Sequence, residues 1–319
     1  MKERAGYLHL AVDKQSIKPT IYQYPEFAHF IERMNALFAE WREITSSALK
    51  TSQASGFHPK DLISQMSESL LAWYAGKPLI DKYDVYQHLM DYWAATMQDD
   101  CYLIAADGWK AETYRVVETN KKGKEVDKGW TCDLVPKQLI VNRYFAAQQA
   151  RISELEAALE NVAAQLTELE EEHGGEDGAF AELDKVNKVE IGKRLKEIKS
   201  DKEAREEIAA LNAWLKLNEQ ESEFKKALKE GEAELDALAY AKYPKLSEDE
   251  IKTLVVDDKW LAALDKDIHG EMDRISQQLT QRVKELAERY ETPLPALEDD
   301  VAKLAEKVQA HLQRMGFAA

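Results

Sequence analysis

Few side chains in this sequence stand at a spacing that could support catalysis or metal binding. The seven histidines are scattered, and no two of them have the spacing that a zinc site requires. The cysteines Cys101 and Cys132 do not form the dense pattern of a disulfide framework, so we expect reduced thiols. The glycine-rich segment 174–178 lacks the Lys-Ser/Thr pair of a phosphate loop. The sequence therefore indicates no nucleophile, no general base and no metal ligand.

A predicted β-turn is locally basic in a chain that is acidic overall. Residues 101–150 hold eight Lys or Arg and six Asp or Glu, whereas the whole chain has a net charge of -16. Lysines close to tryptophans could contact a phosphate backbone, and lysines on an exposed strand also protect its edge from pairing. Both interpretations stay open. The candidate DNA contacts are Lys121, Lys122, Lys124 and Lys128.

Length and charge limit the class of protein. A chain of 319 residues, 45% of them hydrophobic, can bury a core and form roughly two domains. Because acidic residues exceed basic ones, we do not expect the surface as a whole to bind DNA or an anionic membrane. No apolar run approaches the roughly 20 residues of a membrane helix, and residues 1–6 lack the apolar core of a signal peptide. We expect a soluble, cytoplasmic protein that does not contact membranes.

Three stretches carry apolar residues at heptad spacing, in steps of three, four or seven, the spacing of a helix that lies against another helix. The glycines near 174–178 favour a helical hairpin for the first two stretches, although pairing between chains is equally compatible with the pattern. The first comprises Ile152, Leu155, Leu159, Val162, Leu166 and Leu169; the second Leu217, Phe224, Leu228, Leu235 and Leu238; the third Leu297, Val301, Leu304 and Val308.

The remaining patterns predict a mainly α fold. We expect a helical segment at 1–135 with a small antiparallel β element at about 101–135, where 101–106 is a short apolar run typical of a strand. Long antiparallel coiled-coil-like arms follow at 136–245, with a break near 173–180, and a helical bundle at 246–319 packs on them. Asp84 is a predicted helix cap, and Ser247 with Glu250 has the spacing of a capping box.

Long segments of the chain resemble the C-terminal part of modification (M) subunits from one branch of type I restriction-modification enzymes. The resemblance covers essentially the whole sequence. It rests on 82–86 (KYDVY), 97–100 (MQDD), 134–137 (LVPK), 143–147 (RYFAA), 171–175 (EEHGG), 255–261 (VVDDKWL), 286–290 (LAERY) and 315–317 (MGF).

The resemblance implies a function in DNA modification. Such subunits are S-adenosylmethionine-dependent adenine-N6 DNA methyltransferases that assemble with a specificity subunit, a second M subunit and, for restriction, a motor-nuclease subunit. Their C-terminal helices pack near the coiled coil of the specificity subunit. The family's catalytic Asn/Asp-Pro-Pro-aromatic motif and its glycine-rich cofactor loop are absent from this sequence. We therefore expect the portion downstream of the methyltransferase domain, with no enzymatic activity and no cofactor of its own.

Three hypotheses follow. The first is a non-catalytic assembly region that docks on the specificity subunit and helps to hold the complex on DNA. The second is a module that contacts DNA directly through the basic turn at 121–128. The third is a protein that acts alone, as a helical scaffold or as an enzyme of another class.

Overall fold

The computed structural model describes the chain except for residues 1, 5–6, 10–11, 52–57, 120–122, 176–177, 200, 202–203, 293 and 318–319. The fold is mainly α, as the sequence predicts. The strands are β1 (Lys2–Arg4), β2 (Tyr7–His9), β3 (Tyr114–Thr119) and β4 (Glu125–Thr131). The helices are α1 (Ile17–Gln23), α2 (Pro25–Thr51), α3 (Pro59–Trp73), α4 (Lys82–Tyr92), α5 (Gln98–Asp107), α6 (Lys137–Tyr144), α7 (Ala146–His173), α8 (Lys188–Glu197), α9 (Arg205–Lys242), α10 (Glu248–Lys252), α11 (Ala262–Arg289) and α12 (Leu294–Arg314).

The chain divides into two compact units. The first comprises residues 1–108 and 256–319, and the second comprises residues 109–255. The expected divisions at 135 and 245 differ from these bounds, since the C-terminal helices belong to the same unit as the N-terminal ones. Among the described residues, no helix combines the length and the apolar character needed to cross a membrane.

The first unit is built on amphipathic helices whose apolar faces meet. α1 packs on α2 and α11, and α4 packs on α3 and α11. The large buried side chains include Trp41, whose indole N–H donates to Ser69 Oγ at 2.8 Å and so joins α2 to α3. Arg274 Nη2 of α11 lies 2.9 Å from Asp84 Oδ2 of α4. The unit therefore has one core shared by helices from both ends of the chain.

Residues 101–106 form part of helix α5, so the strand predicted there is wrong. Met97, Cys101 and Ile104 are fully buried and lie at helical spacing, whereas Tyr102 between them is exposed. A short apolar run does not distinguish a strand from a buried helix, and here burial follows the helical period. The predicted cap Asp84 is also wrong, because Asp81 caps α4 by accepting from Tyr83 N–H at 2.8 Å.

A buried ionic network holds the centre of the first unit. Asp100 Oδ1 accepts from Lys259 Nζ at 2.7 Å, and Asp100 Oδ2 accepts from Trp260 Nε1 at 2.8 Å. Burial raises the pKa of Asp100, while its hydrogen bonds and the charge of Lys259 oppose that change. Two π-helical segments, Trp93–Met97 and Thr253–Leu261, position these groups. Asp100 follows the first of these segments, and both donors lie within the second.

The second unit consists of a β-hairpin and a helical arm. β3 and β4 are antiparallel, with an irregularity between Arg115 and Val117. At the base of the arm, Glu250 accepts from Tyr144 Oη at 2.9 Å and from Lys242 Nζ at 2.8 Å, which joins α10 to α6 and α9. The hydrogen bond from Lys242, followed by those from the Ser247 backbone N–H and from Tyr144, lowers the pKa of Glu250 to about 2. The capping box of Ser247 and Glu250 is confirmed.

Removal of the Lys259 ammonium tests the buried network. In Lys259→Met, the Asp100 carboxylate keeps its indole donor but loses its buried counter-charge, and we expect the free energy of unfolding to fall by about 3–5 kcal/mol. Lys303→Met is the control, because that side chain is 70% exposed and lies 3.6 Å from the equally exposed Asp300; its expected loss is below about 0.5 kcal/mol. Urea denaturation followed by circular dichroism measures both values. Equal losses in the two variants would contradict this role of the network.

Candidate docking surface

The first two heptad stretches meet each other inside the chain. Trp214 Nε1 on α9 donates to Glu170 Oε1 near the end of α7 at 2.8 Å. A Cβ added at Gly231, further along α9, would lie 3.5 Å from Ile152 Cγ1 near the start of α7. Positions later in α9 therefore meet positions earlier in α7, so the two helices are antiparallel.

The candidate arm residues contribute to the packing of this helical pair. The core of the arm includes Val162 and Leu166 of α7 with Leu211 and Trp214 of α9. The apolar faces of both helices therefore turn toward each other within the chain. Three of the candidates are buried, namely Ile152, Val162 and Leu166. The other six are half-buried: Leu155, Leu159, Leu169, Leu217, Phe224 and Leu228.

Sequence reasoning missed a third component of the arm. Phe180, Ile191 and Ile198 are buried in the same core, and the last two belong to α8 and its C-terminal end. The signal was present, because Ile191, Leu195 and Ile198 lie at helical spacing after Asn187, whose side chain caps the helix. A short helix of ten residues gives a weaker periodic pattern than the long arms on either side of it.

The β3–β4 hairpin carries the candidate DNA contacts. Lys128 Nζ lies 3.6 Å from Glu118 Oε2, and Arg115 Nη2 lies 3.1 Å from Asp127 Oδ2, so basic side chains are paired across the two strands. Lys124 is exposed. Lys121 and Lys122 lie outside the described residues. Charge pairing across strands is typical of an exposed hairpin protected from edge-to-edge association.

The tryptophans beside this hairpin are engaged within the unit. Trp109 is buried. Trp130 Nε1 donates to Asp236 Oδ2 at 3.0 Å, and its ring packs against Tyr240 and Tyr243 at centroid distances of 5.3 and 5.2 Å. Since both indoles are used inside the fold, they do not offer a stacking platform for bases. Direct DNA contact by the hairpin stays a prediction.

The third heptad stretch lies on α12 and is exposed along its whole length. Of the 21 residues of this helix, none is buried against the described part of the chain. Its large apolar side chains, which we name the α12 stripe, are between 43% and 71% exposed. The α12 stripe consists of Leu294, Leu297, Val301, Leu304, Val308, Leu312, Met315 and Phe317.

The end of α12 extends the stripe. Gly316 has φ +86°, a conformation that favours glycine, and it lets the chain turn back on the last turn of the helix. Phe317 N–H donates to Leu312 O and Gly316 N–H donates to Gln313 O, both at 3.0 Å, which is the bond pattern of a Schellman motif. The motif commonly brings the residue after the glycine beside the last turn, here Phe317 beside Leu312. The stripe thus gains an aromatic side chain that sequence periodicity alone does not include.

The opposite face of α12 is polar. Asp299, Glu306 and Gln313 recur at a spacing of seven and are exposed. A helix with one continuous apolar stripe and one polar face is suited to lie on another helix or helical bundle. A stripe of this kind is stable in water only at the cost of hydrating its apolar side chains. α12 is therefore the best candidate for a docking surface among the described residues.

Comparisons with protein families, curated proteins and solved structures found no match for this chain. The assignment of function accordingly depends on the geometry described above and on the resemblance of the sequence segments.

Matched substitutions on the two kinds of seam separate covered from uncovered residues. Leu166→Asp places a charge in the arm core, and we expect the free energy of unfolding to fall by about 3–5 kcal/mol. Leu304→Asp changes an exposed position of α12, and we expect a loss within about 1 kcal/mol, mainly from helix propensity. Thermal unfolding followed by circular dichroism measures both. A large loss for Leu304→Asp would mean that the α12 stripe is packed within the monomer.

Proposed function

We propose that this chain is a non-catalytic assembly region of a type I restriction-modification DNA adenine methyltransferase subunit, which docks on the specificity subunit. The observation that carries the proposal is the exposed α12 stripe. The arm seams close on each other within the chain, whereas the stripe on α12 has no cover among the described residues. The identity of the partner comes from the resemblance of the sequence segments to M subunits.

The spacing of the stripe indicates the shape of what covers it. Apolar residues at steps of three and four form a straight ridge only on a helix, and such a ridge fits the holes between side chains of a facing helix. At 21 residues, α12 is about 31 Å long, which provides three heptads of contact. A helical region of the specificity subunit is therefore the partner that fits both the geometry and the resemblance.

The energetics favour covering the stripe. Burial of a Leu or Val side chain contributes roughly 1.5–3 kcal/mol, so six such side chains contribute on the order of 10 kcal/mol or more before costs. Loss of translational and rotational freedom opposes this by roughly 4–15 kcal/mol. Because the gain from burial and the cost of association are of similar size, α12 alone would bind weakly. We therefore propose that it is one of several contacts in a larger assembly with a second M subunit and the motor-nuclease subunit.

In this proposal DNA is held by the assembled complex. The chain has a net charge of -16, and Arg115 and Lys128 of the hairpin are paired with carboxylates. Phosphate contacts of the complex would come mainly from other subunits and from the methyltransferase domain. S-adenosylmethionine would bind in that domain, because the described strands of this chain form two-stranded hairpins and offer no strand-to-helix glycine loop for the cofactor.

Co-purification with the specificity subunit tests the proposal. We expect the unaltered chain to elute with it as one species in size exclusion with light scattering, because the α12 stripe becomes buried. Leu297→Asp with Leu304→Asp places charges in the stripe, and we expect at least a 100-fold loss of affinity. The control is Asp299→Asn with Glu306→Gln, which changes the polar face of the same helix and should leave co-elution intact.

Two results would contradict the proposal. Separate elution of the unaltered chain and the specificity subunit would show that this region does not dock by itself. Co-elution that survives the two stripe substitutions would show that docking uses another surface. Circular dichroism of each variant establishes that the helices are retained.

A further inference from the structure

α12 has the residues of a self-complementary seam. Most of its large apolar residues occupy the two seam positions of a heptad, a and d. Position a holds Leu294, Val301, Val308 and Met315, and position d holds Leu297, Leu304 and His311. The side chains that flank a seam, at positions e and g, decide which partner fits and in which direction.

The flanking charges of α12 are divided along its length. Position g holds Asp300 in the first half of the helix and Lys307 and Arg314 in the second half. Position e holds Glu298 in the first half and the apolar residues Ala305 and Leu312 in the second. A second copy that runs in the opposite direction would place the acidic part of one helix beside the basic part of the other.

We infer that, in the absence of its assembly partner, this chain dimerises by antiparallel pairing of α12 with α12 of a second copy. In one register, Val301 faces Leu304 of the second copy and Leu297 faces Val308 of the second copy. The same register places Asp300 beside Lys307 of the second copy, and by symmetry this contact occurs twice. The inference extends the proposed function, because it assigns a second occupant to the same face when the specificity subunit is absent.

The opposite choice, a parallel pair, fits less well. A parallel pair would place His311 against His311 of the second copy within the seam, and Asp300 would face Ala305 instead of a lysine. Burial of two imidazoles without partners weakens association by roughly tenfold or more. In the antiparallel register, His311 faces Leu294 of the second copy at the end of the seam. Each exposed Asp300–Lys307 contact strengthens association by roughly 1.4- to 5-fold, and opposed helix dipoles act in the same direction.

The size of the seam sets the expected strength. Three heptads bury less than the roughly 800 Å² per partner of a standard interface. Asp300 also lies 3.6 Å from Lys303 within its own helix, and both side chains are well exposed, so this contact is easily exchanged. We therefore expect a reversible dimer with a dissociation constant on the order of micromolar.

A charge exchange tests the inference in the full chain without any specificity subunit. Sedimentation equilibrium between about 1 and 200 micromolar should show a monomer–dimer equilibrium. Asp300→Lys and Lys307→Asp, each alone, place like charges opposite each other twice and should raise the dissociation constant about 10-fold. The double variant restores opposite charges and should return the dissociation constant to within about threefold of the original. The control Glu306→Lys makes the same change of charge on the polar face and should alter it less than about twofold.

Each alternative result overturns the inference. A chain that stays monomeric throughout this range has no such dimer, and a dimer that survives Leu304→Asp uses another surface. A dimer whose affinity the double variant does not recover is not antiparallel in this register. The outcome is separable from that of the proposed function: a monomeric chain that still co-elutes with the specificity subunit overturns only the dimer, and a dimeric chain that does not co-elute overturns only the docking.

Discussion

The hydration of apolar helix faces is the constraint that shapes this molecule. Burial of a Leu or Val side chain contributes roughly 1.5–3 kcal/mol, so a long helix with a continuous apolar stripe must find cover for it. α7 and α9 satisfy this requirement by packing antiparallel on each other, with α8 beside them. α12 carries a stripe of the same type and has no such cover among the described residues. The arm seams and the α12 stripe have similar sequence patterns, but they differ in whether the chain itself covers them. The arm seams therefore stabilise the fold, whereas the α12 stripe is available to a partner.

The first unit also satisfies a polar constraint. A carboxylate at the position of Asp100 is stable only with buried donors, which Lys259 and Trp260 provide from a distant part of the sequence. This network fixes the segment that leads into α11, and α11 in turn packs on α1 and α4. α12 follows α11 after a short connection, yet none of its residues is buried against the part of the chain that the structure describes. A firmly held α11 can therefore present α12 to another molecule.

The sequence allows the helical arms, the capping box and the third heptad stretch to be predicted, because each depends on local periodicity or on a short spacing. It does not allow α5 to be distinguished from a strand, since a run of six apolar residues fits both. The cap at Asp81, the contribution of α8 and the π-helical segments depend on packing between residues far apart in the chain. The docking surface is a similar case. The pattern at Leu297 to Val308 predicts a seam, but only the tertiary structure decides whether that seam is covered.

Amide hydrogen exchange along α12 would show whether the α12 stripe is covered or uncovered. For the dilute chain, we expect amides of residues 297–312 to exchange much faster than those of α7, because no tertiary packing protects them. Addition of the specificity subunit should lower the exchange rates of amides in residues 297–312 by at least 10-fold and leave the exchange rates in α7 and α9 nearly unchanged. Protection of α12 equal to that of α7 before any partner is added would contradict this view. Slowing confined to residues 114–131 on addition of the partner would contradict it as well.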